Sequence, residues 1–303
     1  MPSLRSYLVR PILRRAIYKD SKLSLDRRRI GLDNNTKLFR CAAAVNCEKL
    51  VVNGRPAEWI TAPNSSSDAA VLYLHGGAYT LGSIQSHRAL VTRIVAASQV
   101  PALLIDYRLA PEHPFPAALD DAMAAFVWMV EALNISADRI VICGDSAGGG
   151  LAITTALELY RINNLSPVAL VLLSPWADLT LSGATIEKHK KDIFFPTKHS
   201  LQSAALDYAK NTSLTDPRLS PIFADLRKMP STYIQVGSEE ILLNDSLMLV
   251  RSAKQLGIDI KIEEWPGMWH VWQAFHGLIP EANEAIMKIG KFIQSTLSRH
   301  KPL

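Results

Sequence analysis

The chain has no uninterrupted apolar run near the roughly 18 residues a membrane-spanning helix requires, which excludes that class. Cysteine is scarce. Cys41, Cys47 and Cys143 form an odd set without metal-ligand spacing; they exclude a disulfide framework and read as reduced, structural thiols of a cytoplasmic protein. There is no His-Glu-x-x-His, no Gly-x-x-x-x-Gly-Lys-Ser/Thr and no Cys-x-x-Cys, so metalloprotease, P-loop and thioredoxin-type chemistry lack support, and neither a metal nor an organic cofactor is expected. Internal repeats and low-complexity tracts are also missing. The first residues are basic but carry neither a long apolar segment nor a small-residue cleavage site, so they do not read as a signal peptide.

What is present suits one large domain: 303 residues, 48% hydrophobic, enough to bury a single α/β core. The net charge of +5 is unevenly spread. Residues 1–40 hold eleven Lys/Arg against three Asp, leaving 22 basic and 25 acidic residues for the remainder. Such an arm could meet anionic lipid or nucleic acid, but a docked helix with a solvated charged face is the expectation. Neither a nucleic-acid partner nor membrane contact is therefore expected.

Two short helices are expected in residues 1–40, with Ser24 or Asp26 capping the second. Strand-like pieces follow at Cys41–Val52 and Ala57–Ala62, around the turn Asn53-Gly54-Arg55-Pro56. Apolar runs then occur at Ala70–Leu74, Ala102–Tyr107, Arg139–Cys143, Ala169–Leu173, Tyr233–Val236 and Ile258–Glu263. Helical patterns alternate with them at about 85–98, 117–133, 147–161, 241–256 and 281–297. This rhythm predicts an α/β fold with a mostly parallel central sheet and helices on both faces. Residues 176–230 are too long for a simple crossover, so a cap insertion at about 176–215 is expected above the sheet, beside an N-terminal helical segment of residues 1–40 and within a catalytic domain of residues 41–303.

The most informative stretch is Gly144-Asp145-Ser146-Ala147-Gly148, a Gly-x-Ser-x-Gly directly behind one apolar run and ahead of a helical pattern. That strand–turn–helix context marks a nucleophile elbow, with glycines where side chains would collide and Ser146 lifted above the sheet. A serine hydroxyl needs a base, a group that orients the base, and donors for the oxyanion. After the run ending at Leu74 stands His75-Gly76-Gly77-Ala78-Tyr79, whose small residues let backbone N–H groups approach a carbonyl. The donors expected are Gly77 and Ala78, with Gly76 a further candidate, joined by Ala147 N–H. His75 reads as a brace for this loop, and His113 as a turn residue.

The base is expected on a loop past the last strand, where Pro266-Gly267-Met268-Trp269-His270 places His270 between aromatics; His276 is the competitor. The orienting acid should follow the run at Thr232–Val236. Glu239, Glu240 and Asp245 all qualify by distance, Asp245 lying further along the helix and Glu240 directly before Ile241-Leu242-Leu243. Tyr79, Trp176, Phe194, Phe195 and Ile241 are candidates for the acyl and alcohol pockets, with core or cap packing as their alternative.

These residues together resemble the bacterial hormone-sensitive-lipase-like carboxylesterases of the α/β-hydrolase fold. The resemblance covers roughly residues 70–275 and rests on His75-Gly76-Gly77, Asp106 to Glu112, Gly144 to Gly149, and Pro266 to His270. It implies a serine carboxylesterase for short- to medium-chain acyl esters, a small-molecule ester as partner, a cap of the N-terminal helices plus the insertion, and often a homodimer. The family usually has a third glycine where Ala78 stands, and an Asp-Pro-Leu-type motif where Glu240-Ile241-Leu242 stands, which puts the orienting acid on Glu240. The stretch Asp106 to Glu112 is expected to be structural, Arg108 and the two carboxylates pinning the loop beneath the site. Lipase, amidase and acyltransferase activities would use the same Ser146, and a non-catalytic receptor on this fold would lose a member of its triad.

Overall fold

The computed structural model describes residues 2–20, 22–188 and 198–300. Two helices open the chain, α1 (Leu4–Asp20) and α2 (Leu25–Thr36), followed by the hairpin β1 (Asn46–Val52) and β2 (Arg55–Thr61). The alternation then runs β3 (Ala70–Leu74), α3 (Ile84–Ser98), β4 (Ala102–Ile105), α4 (Ala117–Glu131), β5 (Ile140–Asp145), α5 (Ala147–Asn163) and β6 (Ala169–Leu173). After it come α6 (Ala184–Lys188), α7 (Lys198–Ala209), β7 (Ser231–Gly237), α8 (Leu243–Gln255), β8 (Ile260–Trp265) and α9 (Pro280–Arg299). Ser24 stands at the N-cap of α2 but accepts no side-chain cap hydrogen bond.

The strands form one eight-stranded sheet in the order β1-β2-β4-β3-β5-β6-β7-β8. The pairs β1/β2 and β2/β4 are antiparallel; every pair from β4/β3 to β7/β8 is parallel. The period of two along a strand explains why the central runs are apolar throughout. On β3, Leu72 and Leu74 join one core while Val71 and Tyr73 join the other. The first core also takes Phe126 and Met129 of α4, Leu151 and Ile153 of α5, and Leu249 of α8. The second takes Leu90, Val91 and Ile94 of α3 together with Ile286, Ile289 and Ile293 of α9. Helices therefore cover both faces. The α3–α9 approach is close enough that a Cβ on Gly290 would lie 2.6 Å from the Ala97 carbonyl.

The Asp106–Glu112 stretch is pinned by partners on other elements. Arg108 engages Asp121 of α4 through its backbone N–H and its guanidinium, at 2.8–3.0 Å. Asp106 instead accepts the Ile84 N–H at 2.5 Å, and Glu112 takes a two-pronged hydrogen bond from Arg29 of α2. Each of these groups thus ties the stretch to a different helix: α4, α3 and α2.

Candidate active site

Ser146 sits between β5 and α5 with φ 52° and ψ −121°, in a sparsely populated region that persists only where the surroundings fix the turn. The strained turn is fixed from several sides. Ser146 N–H donates to Leu173 O at 2.8 Å, and its own carbonyl accepts the Trp176 N–H at 2.8 Å. A Cβ on Gly148 would lie 2.0 Å from Leu74 O, and one on Gly144 would lie 2.3 Å from Gly148 O, which is why no other residue fits either place.

Two loops from neighbouring strand ends meet the serine. His270 Nε2 lies 2.9 Å from Ser146 Oγ, and His270 Nδ1 lies 2.5 Å from Glu240 Oε2. The other Glu240 oxygen accepts the Gly237 N–H at 2.7 Å. Ser146, His270 and Glu240 are exposed by only 5, 3 and 0%, so these hydrogen bonds lie in a low-dielectric setting that strengthens them. The loop that carries Glu240 and the loop that carries His270 hold each other. Ser238 N–H donates to Trp265 O, Glu239 N–H to Met268 O, and Gly267 N–H to Ser238 Oγ.

The remaining candidates for base and acid are placed elsewhere. Glu239 forms an ion pair with Arg10 of α1. Asp245 is buried in the first turn of α8, where one oxygen accepts both Ala177 N–H and Asp178 N–H at 2.9 Å. Burial raises its pKa well above the carboxylate range, and nearby Asp178 and Glu240 push the same way. His276 is buried beside Phe39, and burial together with Arg93 lowers its pKa to about 4.

The loop His75 to Tyr79 lies against the elbow, with Gly77, Ala78 and Tyr79 all at positive φ. Gly76 N–H donates to Asp145 Oδ1 at 3.0 Å, which removes Gly76 from the set of oxyanion donors. A Cβ on Gly76 would also meet Asp145 Oδ2 at 2.1 Å. The N–H groups of Gly77, Ala78 and Ala147 have no acceptor among the described residues, Ala147 being the first residue of α5. His75 braces the loop: its Nδ1 lies 2.8 Å from Gly76 O, its carbonyl accepts Tyr107 O–H at 2.6 Å, and its ring stacks on Tyr107 and His87. Burial and neighbouring His87 lower its pKa to about 3, so the ring is neutral.

Sequence reasoning missed the polar network beneath this loop. Asp145, the variable second residue of the elbow motif, also accepts Tyr73 O–H at 2.9 Å and faces His87 Nε2 at 3.4 Å. His87 lies inside α3, where nothing in the local pattern sets it apart. Among the pocket candidates, Tyr79 and Trp176 are buried together, and Tyr79 stacks on Tyr208 of α7 at 3.7 Å between ring centroids. Tyr208 was not singled out from sequence, being one aromatic in a mixed helix. Ile241 is buried, its carbonyl accepting Thr185 O–H. Phe194 and Phe195 lie outside the described residues.

Residues 71–274 match the model of a family with the α/β-hydrolase fold. The chain belongs to that family. This α/β-hydrolase is 38% identical to an acetyl-hydrolase of Streptomyces hygroscopicus over 88% of its own length and 89% of the relative's. It is 30% identical to an ethyl acetate hydrolase of Pseudomonas putida, covering 76% of this chain and 74% of that one. Among solved structures, an esterase of the bacterial hormone-sensitive lipase family superposes with a TM-score of 0.92 at 36% identity, over 98% of this chain and 99% of the other. Together these make the α/β-hydrolase a carboxylic ester hydrolase of the hormone-sensitive-lipase type. No helix among the described residues is long and apolar enough to cross a membrane.

Proposed function

We propose that the protein hydrolyses short- to medium-chain acyl esters of small alcohols through an acyl-enzyme on Ser146. The hydrogen-bonded line Ser146 Oγ–His270–Glu240 carries this reading. His270 takes the Ser146 proton as Oγ attacks the ester carbonyl. Glu240 holds the Nδ1–H tautomer and stabilises the imidazolium; Gly237 N–H keeps the carboxylate turned toward the ring. The N–H groups of Gly77, Ala78 and Ala147 receive the oxyanion. His270 returns the proton to the departing alkoxide. Water, deprotonated by the same imidazole, then adds to the acyl carbon; the acyl–Oγ bond breaks, His270 returns the proton to Ser146 Oγ, and the acid leaves.

Helices α1, α2, α6 and α7 serve as the cap, and the buried Tyr79–Trp176–Tyr208 group bounds the acyl side at short to medium chains. The three free cysteines fit a reducing, cytoplasmic setting, and a homodimer is the proposed assembly.

The test is turnover of p-nitrophenyl esters from acetate to long chains by the wild type and Ser146→Ala. Loss of roughly three or more orders of magnitude in kcat/KM is expected for the variant, with a maximum at short to medium chains for the wild type. Undiminished turnover by Ser146→Ala would sink the mechanism, and a maximum above about ten carbons would make the protein a lipase, each added methylene contributing about 0.8 kcal/mol where the site can bury it.

A further inference from the structure

Helix α1 carries two apolar faces, and the fold covers one. Val9, Leu13 and Ile17 pack against the cluster of Trp265, Trp269, Trp272 and Phe275. Leu4, Tyr7, Leu8 and Ile12 point outward, exposed by 76, 58, 64 and 70%. Seven of the fifteen exposed large apolar side chains among the described residues fall within the first 38, so apolar surface is concentrated on this arm. Leu4, Leu8 and Ile12 are spaced by one helical turn and form a stripe, which continues into the exposed Arg15 and Lys19 and is flanked by Arg5 and Arg14. No acidic residue occurs between Leu4 and Lys19, and Arg5, Arg14, Arg15 and Lys19 make no ion pair among the described residues. The outward face is thus not the purely charged, solvated one expected from composition.

Charge decides what can cover it. A second copy would set two basic arms against each other, each with eleven Lys/Arg to three Asp in its first forty residues. An anionic surface offers the complement to both features: a phosphate layer for the guanidinium and ammonium groups, and an apolar boundary for the leucine stripe. We propose that the outward face of α1 docks on an anionic lipid surface, with Leu4, Leu8 and Ile12 at the acyl–headgroup boundary and Arg5, Arg14, Arg15 and Lys19 among the phosphates. The helix is well placed to bring the site there. Its inner side pairs Arg10 with Glu239, next to Glu240, and Pro2 packs on Gly267 in the loop that carries His270. An esterase held in this way works beside a surface in which apolar esters concentrate.

The experiment is co-sedimentation of the full chain with vesicles of phosphatidylcholine alone and of phosphatidylcholine mixed with phosphatidylglycerol. Binding to the anionic vesicles is expected to exceed binding to the neutral ones by about ten-fold or more, and to vanish near ~0.5 M salt. Leu8→Ser with Ile12→Ser, and separately Arg14→Glu with Arg15→Glu, should each lower the bound fraction by about ten-fold. Turnover of soluble p-nitrophenyl acetate reports folding, and its loss in Ser146→Ala concerns the catalytic reading alone. Equal binding to both vesicle types, or none to either, overturns the proposal. So does a dimer in gel filtration that Leu8→Glu splits, because the occupant of the face would then be a second copy.

Discussion

The Asp145 carboxylate accepts the Gly76 N–H at 3.0 Å, tying the His75–Tyr79 loop to the residue immediately before Ser146. The same carboxylate faces His87 and Tyr73. His87 is raised in pKa, because Asp145 outweighs the desolvation that would lower it, and Asp145 is lowered, because His87 and Tyr73 outweigh its own burial. Asp145→Ala leaves the buried Gly76 N–H and Tyr73 O–H and the partly buried His87 without this acceptor, and breaking such a site costs about 3–5 kcal/mol. Asp145→Asn keeps the volume and an acceptor but loses the charge. For the Asn variant, a fall in kcat of about ten- to a hundred-fold with little change in KM is expected, since a displaced oxyanion loop weakens transition-state binding alone. A rise in KM at unchanged kcat would show that the tether does not set the donors.

The two adjacent glutamates stand in different surroundings. Glu240 is fully buried and bonded to His270, whereas Glu239 pairs with Arg10 at a partly exposed site. Glu240→Gln is expected to lower kcat by about three to four orders of magnitude, because an amide can favour the wrong imidazole tautomer. Glu239→Gln is expected to change kcat less than about three-fold, since the exposed pair it removes is weak. The reverse order in p-nitrophenyl butyrate turnover would move the orienting acid to Glu239.

Much of this was legible because the central sheet is parallel and buried. Ala70–Leu74 and Ala169–Leu173 were strands to the residue, since continuous apolar runs between turn signals leave little freedom in their ends. The elbow and the His75–Tyr79 loop were legible for another reason: their glycines answer to backbone collisions that sequence spacing encodes. Partners set by tertiary contact were not. Neither the Arg108–Asp121 pair nor the His87–Asp145 contact has a local signature, as each joins elements that only the fold brings together. The outward leucines of α1 were hidden by composition, where eleven basic residues dominate the reading of the arm.

Ala78 stands in the left-handed region at φ 53°, a conformation that glycine adopts without strain. An alanine there carries strain of about 1–2 kcal/mol, while glycine would add a comparable unfolded-state entropy cost of about 0.4–1 kcal/mol. Both residues offer the same N–H. Ala78→Gly should therefore shift unfolding free energy by less than about 1 kcal/mol and kcat by less than about three-fold. A ten-fold loss of kcat would mean that the alanine methyl, and not only its amide, positions the substrate.

Two buried histidines make the fold acid-sensitive. His75 is lowered to about 3 and His276 to about 4, chiefly by burial, against about 6.5 in an unfolded chain. The unfolded state binds protons first, so their contribution is full above about pH 6.5 and is lost as pH falls toward those values. His87 has the opposite sign, its raised pKa adding stability in acid that fades as pH rises through the raised value. His87 offsets part of the loss from His75 and His276. Urea denaturation should show a loss of about 2–4 kcal/mol between pH 7 and pH 4.5, and His276→Asn should flatten that slope. A stability independent of pH across this range would contradict neutral, buried imidazoles.

Chain-length preference should respond to one ring. Tyr208 of α7 stacks flat on Tyr79 at 3.7 Å, and Tyr79 is the residue after the Ala78 donor. Trp176, whose backbone N–H donates to Ser146 O, closes the same cluster. Removing the Tyr208 ring leaves a void lined by Tyr79 and Phe115, which stabilising contacts on other sides keep from collapsing fully. Tyr208→Ala is expected to destabilise the fold by about 3–5 kcal/mol and to move the p-nitrophenyl ester optimum toward longer acyl chains. Each methylene newly accommodated gains about 0.8 kcal/mol, or roughly four-fold in kcat/KM. An unchanged chain-length profile in a folded Tyr208→Ala variant would assign this cluster to packing and place the acyl pocket on another side of Ser146.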